Sequence, residues 1–181
     1  VKNIPVVLKN TLNLTDEGTV ISSIKNRKGI KAVAAKDGIT AINIKSSRML
    51  LAYGFLHRVF EVFDTYKTPV DMITTSEVSI SLTIDSTINL EKIVNALSQF
   101  AQVEVERNQT IVCVVGDFPA SHKGYAAMVF DCLREIPIRM ISYGGSPYSL
   151  SLLIDSKDKE KALKIDDNQT LIEKQQSINP T

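Results

Sequence analysis

Ser79-Ile80-Ser81-Leu82-Thr83-Ile84-Asp85-Ser86 returns seventy residues later as Ser149-Leu150-Ser151-Leu152-Leu153-Ile154-Asp155-Ser156. The stretch before it repeats as well: Pro69-Val70-Asp71-Met72-Ile73 becomes Pro137-Ile138-Arg139-Met140-Ile141, and Val62-Phe63-Asp64 becomes Val129-Phe130-Asp131. The offsets are 70, 68 and 67 residues, so the two copies differ only by small loop insertions. A unit of this size holds about two helices and four strands at ordinary element lengths. It exceeds the spacing of helical solenoid repeats, so two paired small domains fit better than an open array.

Working outward from the repeat, periodicity assigns the elements of each copy. In the first, residues 40–107, Thr40 to Ile44 alternates as a strand and Phe55, Leu56, Val59, Phe60 and Phe63 mark one helix face. Val70 to Ile73 and Ser79 to Ile84 read as strands, and Leu90, Ile93, Val94, Leu97 and Phe100 form a second helical stripe. Val103 and Val105 alternate with glutamates, the pattern of an edge or half-exposed strand. The second copy, residues 108–170, repeats the order: strand Thr110 to Val115, a helix face at Ala126, Val129, Phe130 and Leu133, strands Ile138 to Ile141 and Leu150 to Ile154, then a helix from Glu160 to Ile165. It lacks an obvious last strand.

Residues 1–39 read as a connector. Val6-Val7-Leu8 fits a short strand, and the polar run after it, with Gly18 and Gly29, reads as loop. Lys31 to Ala35 reads as another short strand, closed by the turn signal Asp37-Gly38. A strand at about 31–36 could supply the one missing from the second copy, which would interleave the two domains. The tail, residues 171–181, has no packing pattern and is expected to be disordered. The element order is the split β-α-β, ferredoxin-like βαββαβ. The predicted fold class is α+β: two such domains in tandem, interleaved, with antiparallel sheets and helices on one face.

Composition narrows the function. The hydrophobic fraction of 44% is ordinary for a globular protein, and a net charge of +1 supplies no field to recruit nucleic acid or anionic lipid. No apolar run approaches the roughly 20 residues of a membrane span, and the N-terminus has no signal-peptide core. Cys113 and Cys132 sit in apolar runs without metal-ligand spacing and read as buried thiols, which points to the cytosol. There is no phosphate-binding glycine loop, nucleophile elbow or zinc motif. His57 reads as a helix-flank residue and His122 as loop. No catalytic set, cofactor site or metal site emerges.

One region does have the character of a binding site. Met49-Leu50-Leu51-Ala52-Tyr53-Gly54-Phe55-Leu56 joins the first strand to the first helix, with glycine just before the helix. Helix N-termini expose free N–H groups and bind carboxylates. Asp71 is a lone acid in an apolar strand, and Thr74-Thr75-Ser76-Glu77-Val78 brings hydroxyls to a chain reversal. A carboxylate receptor facing an acid could hold both ends of a zwitterion. Each feature also has a plainer reading: a turn glycine, a strand-start acid, a polar loop. The second copy is an internal control, because Arg139 stands where Asp71 stood, and Ser142-Tyr143-Gly144-Gly145 replaces Thr74-Thr75-Ser76-Glu77. That asymmetry points to one receptor copy and one structural copy.

GFLHRVFEVFDTYKTPVDMITTSEVSISLTID resembles the first ACT domain of aspartate kinases, most closely the lysine-sensitive, single-function type. IPIRMISYGGSPYSLSLLI resembles their second ACT domain, and IPVVLKNTLNLTDEGTVIS the segment joining kinase domain to ACT pair. The resemblance implies the regulatory part of an enzyme that phosphorylates aspartate with ATP and Mg, both bound in a kinase domain whose opening motif is absent here. It implies L-lysine as feedback inhibitor, held at a homodimer interface of ACT domains. It also implies site residues: backbone of Gly54, Phe55 and Leu56 on the lysine carboxylate, Ser76, Glu77 and Val78 on its α-amino and carboxylate groups, Asp71 on an amino group, and Met49 lining the pocket. The rivals are a threonine-sensing version and a free-standing amino-acid-binding dimer. An RNA-binding domain shares the element order but needs stacking aromatics on its central strands, and Thr110 to Cys113 and Ser79 to Leu82 have none.

Overall fold

The computed structural model describes residues 4–13, 15, 17–21, 29–46, 53–117 and 124–167. Met49, His122 and the tail, about which the sequence raises expectations, lie outside the described residues. Strands β1 (Val6–Leu8) and β2 (Thr19–Ile21) pair as a separate antiparallel ribbon, so the run expected to be all loop contains a second strand. The remainder runs β3 (Gly29–Lys45), α1 (Phe55–Thr65), β4 (Ile73–Thr75), β5 (Ser79–Ile84), α2 (Leu90–Ser98), β6 (Gln102–Asp117), α3 (Tyr125–Cys132), β7 (Ile138–Ser142), β8 (Ser149–Asp155), a 3-10 turn (Ser156–Asp158) and α4 (Lys159–Asp167).

These strands form one six-stranded antiparallel sheet, ordered β4-β5-β3-β6-β8-β7. Two long central strands make it continuous. Asp37-Gly38 does not close a strand, because β3 runs for 17 residues through it. Val103 and Val105 do lie on a half-exposed edge stretch, because residues 102–106 pair with β3 alone, but that stretch continues into the same 16-residue strand, which β8 joins only from Gln109 onward. The apparent turn signals are bulges. From Lys36↔Ile111 to Ile39↔Gln109 the extra residue lies on β3, where Gly38 has φ 74. From there to Ala41↔Glu106 it lies on β6, where Asn108 has φ 57. Glycine and asparagine tolerate this left-handed backbone better than other residues. The strand expected at Val70 to Ile73 is shifted to Ile73–Thr75, although Asp71 N–H still donates to the Thr83 carbonyl.

The register has a local two-fold symmetry. Shifting by seventy residues exchanges the pair Ala41↔Glu106 with the pair Lys36↔Ile111, and carries Ile42↔Leu82 onto Val112↔Leu152. The first half of β3 thereby pairs with the half of β6 that also pairs with β8.

Strand alternation sorts the side chains onto two faces. On one face Ile42, Ile44, Ile80, Leu82 and Ile84 pack under α1 and α2 with Val59, Phe63, Ile93 and Leu97. On the same face Val112, Val114, Leu150, Leu152 and Ile154 pack under α3 and α4 with Val129, Leu133 and Ala162. On the other face a small core joins both copies: Ile39, Ala41, Met72, Ile111, Met140 and Leu153. There the sheet curls until its two edge strands, β4 and β7, come into contact. Leu56, assigned to the helix face, is 43% exposed, and both cysteines are half-buried rather than buried.

Candidate functional site

Helix α1 begins at Phe55 because Gly54 takes a left-handed turn, φ 82, at its N-cap, from which the Gly54 carbonyl accepts from Arg58 N–H at 3.1 Å. Gly124 does the same for α3, with φ 96. Phe55 packs edge-on against Phe100, with ring centroids 5.8 Å apart, and the Arg58 guanidinium lies 4.3 Å from the centroid of the same ring. The start of α1 is thereby fixed beside an open cleft of about 680 Å³, lined by Lys45, Ser46, Val78, Ser79, Phe100, Ala101 and Gln102. A methyl group at Gly54 would meet no atom within 4 Å, so only the backbone is at stake. Gly54→Ala should therefore lower stability by about 1 kcal/mol, read as a lower urea midpoint at unchanged slope.

The hairpin between β4 and β5 forms the far side of the cleft. Ser76 N–H donates to the Ser79 carbonyl at 2.8 Å, the two serine hydroxyls are 2.6 Å apart, and Ser79 N–H donates to Ser76 Oγ at 3.2 Å. Ser46 N–H donates to the Val78 carbonyl at 3.0 Å and ties the hairpin to the end of β3. Gly54, Phe55, Ser76, Glu77 and Val78 thus gather at one end of the sheet. Lys45 adds a cation to the cleft, paired with Glu104 at 3.0 Å.

Asp71 is not among them. It stands across from Thr83, near the other end of β5, five residues before Ser76. At the rise of an extended chain that separation is about 16 Å. Its carboxylate is held by Lys36, whose Nζ donates to the two oxygens at 2.9 and 3.1 Å and lies 3.0 Å from Asp85. Asp71, then Asp85, holds the Lys36 ammonium above the ordinary lysine range, and the same contact holds Asp85 below the usual carboxylate range. In the second copy Arg139 pairs with Glu106 at 3.6 Å. Sequence reasoning passed over Lys36, which lies on a strand 35 residues from Asp71.

Asp37, taken from the sequence as a turn residue, has a structural task. Projecting from the β3 bulge, it accepts from the Thr110 hydroxyl at 2.9 Å and from Lys159 at the start of α4. Lys159, then Thr110, keeps its carboxyl below the usual range. Among the described residues no cluster of His, Cys, Asp or Glu could hold a metal ion, and no helix is long and apolar enough to cross a membrane.

A pair of ferredoxin-like units sharing one sheet, with the helices on one face, is the architecture of an ACT-domain regulatory region, and a model of the ACT domain matches residues 112–165. A solved chain from Porphyromonas gingivalis W83, described as a C-terminal regulatory domain of aspartate kinase, is 49% identical, with 74% of this chain and 92% of that chain covered and a TM-score of 0.67. Aspartokinase 3 of Arabidopsis thaliana, a chloroplastic protein, is 33% identical over 90% of this chain and 31% of its own length. Aspartokinase III of Escherichia coli, solved with lysine and aspartate in its T-state, is 31% identical over 92% of this chain and 39% of that one, with a TM-score of 0.80. The chain belongs to the aspartate kinase family and corresponds to its regulatory, ACT-domain region. It spans about a third of the length of the curated relatives it matches.

Proposed function

We propose that this chain is the lysine sensor of an aspartate kinase, binding L-lysine between two copies of its first ACT unit and thereby lowering formation of 4-phospho-L-aspartate from ATP and L-aspartate. The kinase domain of the same protein would hold ATP and Mg and carry the chemistry. The units we assign are residues 40–107 for the effector and 108–170 as its partner. Residues 1–39 are the connector, whose strand at about 31–36 completes the second unit; the register of β3 against β6 supports this. The setting is cytoplasmic, or the plastid in plant relatives.

One observation carries the interfacial reading: the site residues divide into two groups too far apart for one ligand. Five bonds separate the α-carbon of lysine from its ammonium, a reach of about 7 Å, against about 16 Å from Asp71 to Ser76 along β4. β4 is an edge strand, hydrogen-bonded to β5 alone among the described residues, although β7 approaches it where the sheet curls. If β4 pairs antiparallel with β4 of a second copy about an axis between Ile73 and Thr74, Asp71 faces Ser76 of the partner subunit. One ligand then bridges the helix start and hairpin of one copy and the acid of the other.

Such a ligand inhibits by binding one arrangement of the two copies more tightly than the other. The second unit offers no equivalent, since Arg139 would repel an ammonium. Asp71 favours a ligand with a second amine, which places lysine ahead of threonine. Calorimetric titration with L-lysine and L-threonine, with sedimentation in parallel, tests this. The expected result is one lysine per chain with a shift toward dimer. Selective heat from threonine would transfer the reading to a threonine sensor, and a lysine-saturated monomer would remove the interface.

A further inference from the structure

We infer that Lys36 is a built-in competitor for the ammonium group of the effector and sets the concentration at which the sensor responds. The inference rests on the reading of Asp71 as the residue that receives an effector amine. What Lys36 presents to Asp71 is chemically what free lysine would present: a primary ammonium on an unbranched alkyl stem. It uses both oxygens of Asp71 and one of Asp85. The contact forms just beyond the last residue of β5, and the side chains of Lys36, Asp71 and Asp85 are 49%, 30% and 42% exposed. A solute can therefore reach the pair, and exchange does not require the sheet to open.

The symmetry of the fold indicates that Lys36 is not needed at this place for folding. Its symmetry mate is Glu106, seventy residues on and at the equivalent register position, and the symmetry mate of Asp71 is Arg139. The two copies thus keep an ion pair at the same point of the sheet with the signs exchanged. Either polarity satisfies the strands. The difference lies in where the acid stands: Asp71 sits beside the edge strand β4 and is held by a lysine, whereas Glu106 sits on the inner strand β6 and is held by Arg139 and by the Asn43 amide.

A ligand that must displace an internal partner binds with its intrinsic affinity multiplied by the fraction of molecules in which the partner has let go. For a half-exposed ion pair that factor is about twofold to fivefold. Lys36→Met keeps much of the stem and removes the ammonium. The full chain carrying it is therefore expected to bind L-lysine about twofold to fivefold more tightly by calorimetry, while Lys36→Arg, which keeps the cation, stays near the parent. Circular dichroism checks that both variants are folded. Equal affinities for parent and Lys36→Met would overturn the competitor and leave the lysine sensor standing. Weaker binding by Lys36→Met would also overturn it, making Lys36 a residue that positions Asp71. Lysine heat from Lys36→Met alone would support competition strong enough to mask the parent site. Absence of heat from both would sink the sensor reading itself, and the competitor with it.

Discussion

Leu153→Ala should remove about 2–5 kcal/mol of stability and should unfold both halves of the molecule together. Leu153 is fully buried in the small core opposite the helices, against Ile39, Ala41, Met72, Ile111 and Met140. These residues come from both copies of the repeat, and the two continuous strands β3 and β6 run beneath them. Truncation leaves a cavity where the sheet curls and its edge strands meet, a place with little freedom to collapse. The loss is a large share of the roughly 5–15 kcal/mol that stabilises a typical domain. Amide exchange separates the possibilities. Equal loss of protection in β5 and β8 is expected. If β8 amides were deprotected while β5 kept the parent rates, the two units would fold independently and the shared strands would not couple them.

That shared architecture is the part of the fold hardest to read from sequence. The repeat offsets and the 3.6-residue stripes were enough for the element order, because a buried helix face must recur at that spacing whatever it packs against. The long strands were not legible. Asp37-Gly38 and Arg107-Asn108 carry residues typical of turns, and at a fixed offset of seventy they look like paired chain reversals. A positive φ is equally what a bulge within a strand requires, and only the pairing partner distinguishes the two. The consequence for Asp37 is concrete: it leaves the strand line to clasp Thr110 and Lys159. Thr40 and Thr110, both buried, lie at the same register position, so the sequence shows the symmetry without showing what it joins.

The candidate site divides the same way. Gly54, Phe55 and Ser76 to Val78 are near-local features, a helix start and a hairpin; Val78 lines the cleft itself and Phe55 packs on Phe100 of its wall. Asp71 was grouped with them by its chemistry and stands apart by geometry, since strand position fixes distance and a sequence pattern does not. Its nearest partner, Lys36, comes from the stretch expected to serve the other unit. The separation gives the interface its force as a reading. A site complete in one chain would need no second copy, whereas one split along an edge strand is completed by antiparallel pairing of that edge.

Asp71→Ala tests that reading most severely. If the Asp71 carboxylate of one copy receives an amine of the lysine seated at the cleft of the other, its removal deletes a charge-assisted hydrogen bond of about 1.5–3 kcal/mol. Lysine affinity measured by calorimetry should fall by roughly tenfold to 150-fold. The fold should survive, because the side chain is 30% exposed and its pair with Lys36 is of the half-solvated kind that contributes about 0–1 kcal/mol. Lys36 retains Asp85 as a partner, so no ammonium is left without a counter-charge. A variant with native circular dichroism, a thermal midpoint within a few degrees of the parent and undiminished lysine affinity would remove Asp71 from the site. Arg139→Ala, its counterpart in the second copy, should leave lysine affinity unchanged, because no ligand is expected at that end of the sheet. The contrast between the two variants distinguishes a lost contact from a general loosening of the sheet, which either substitution would cause alike.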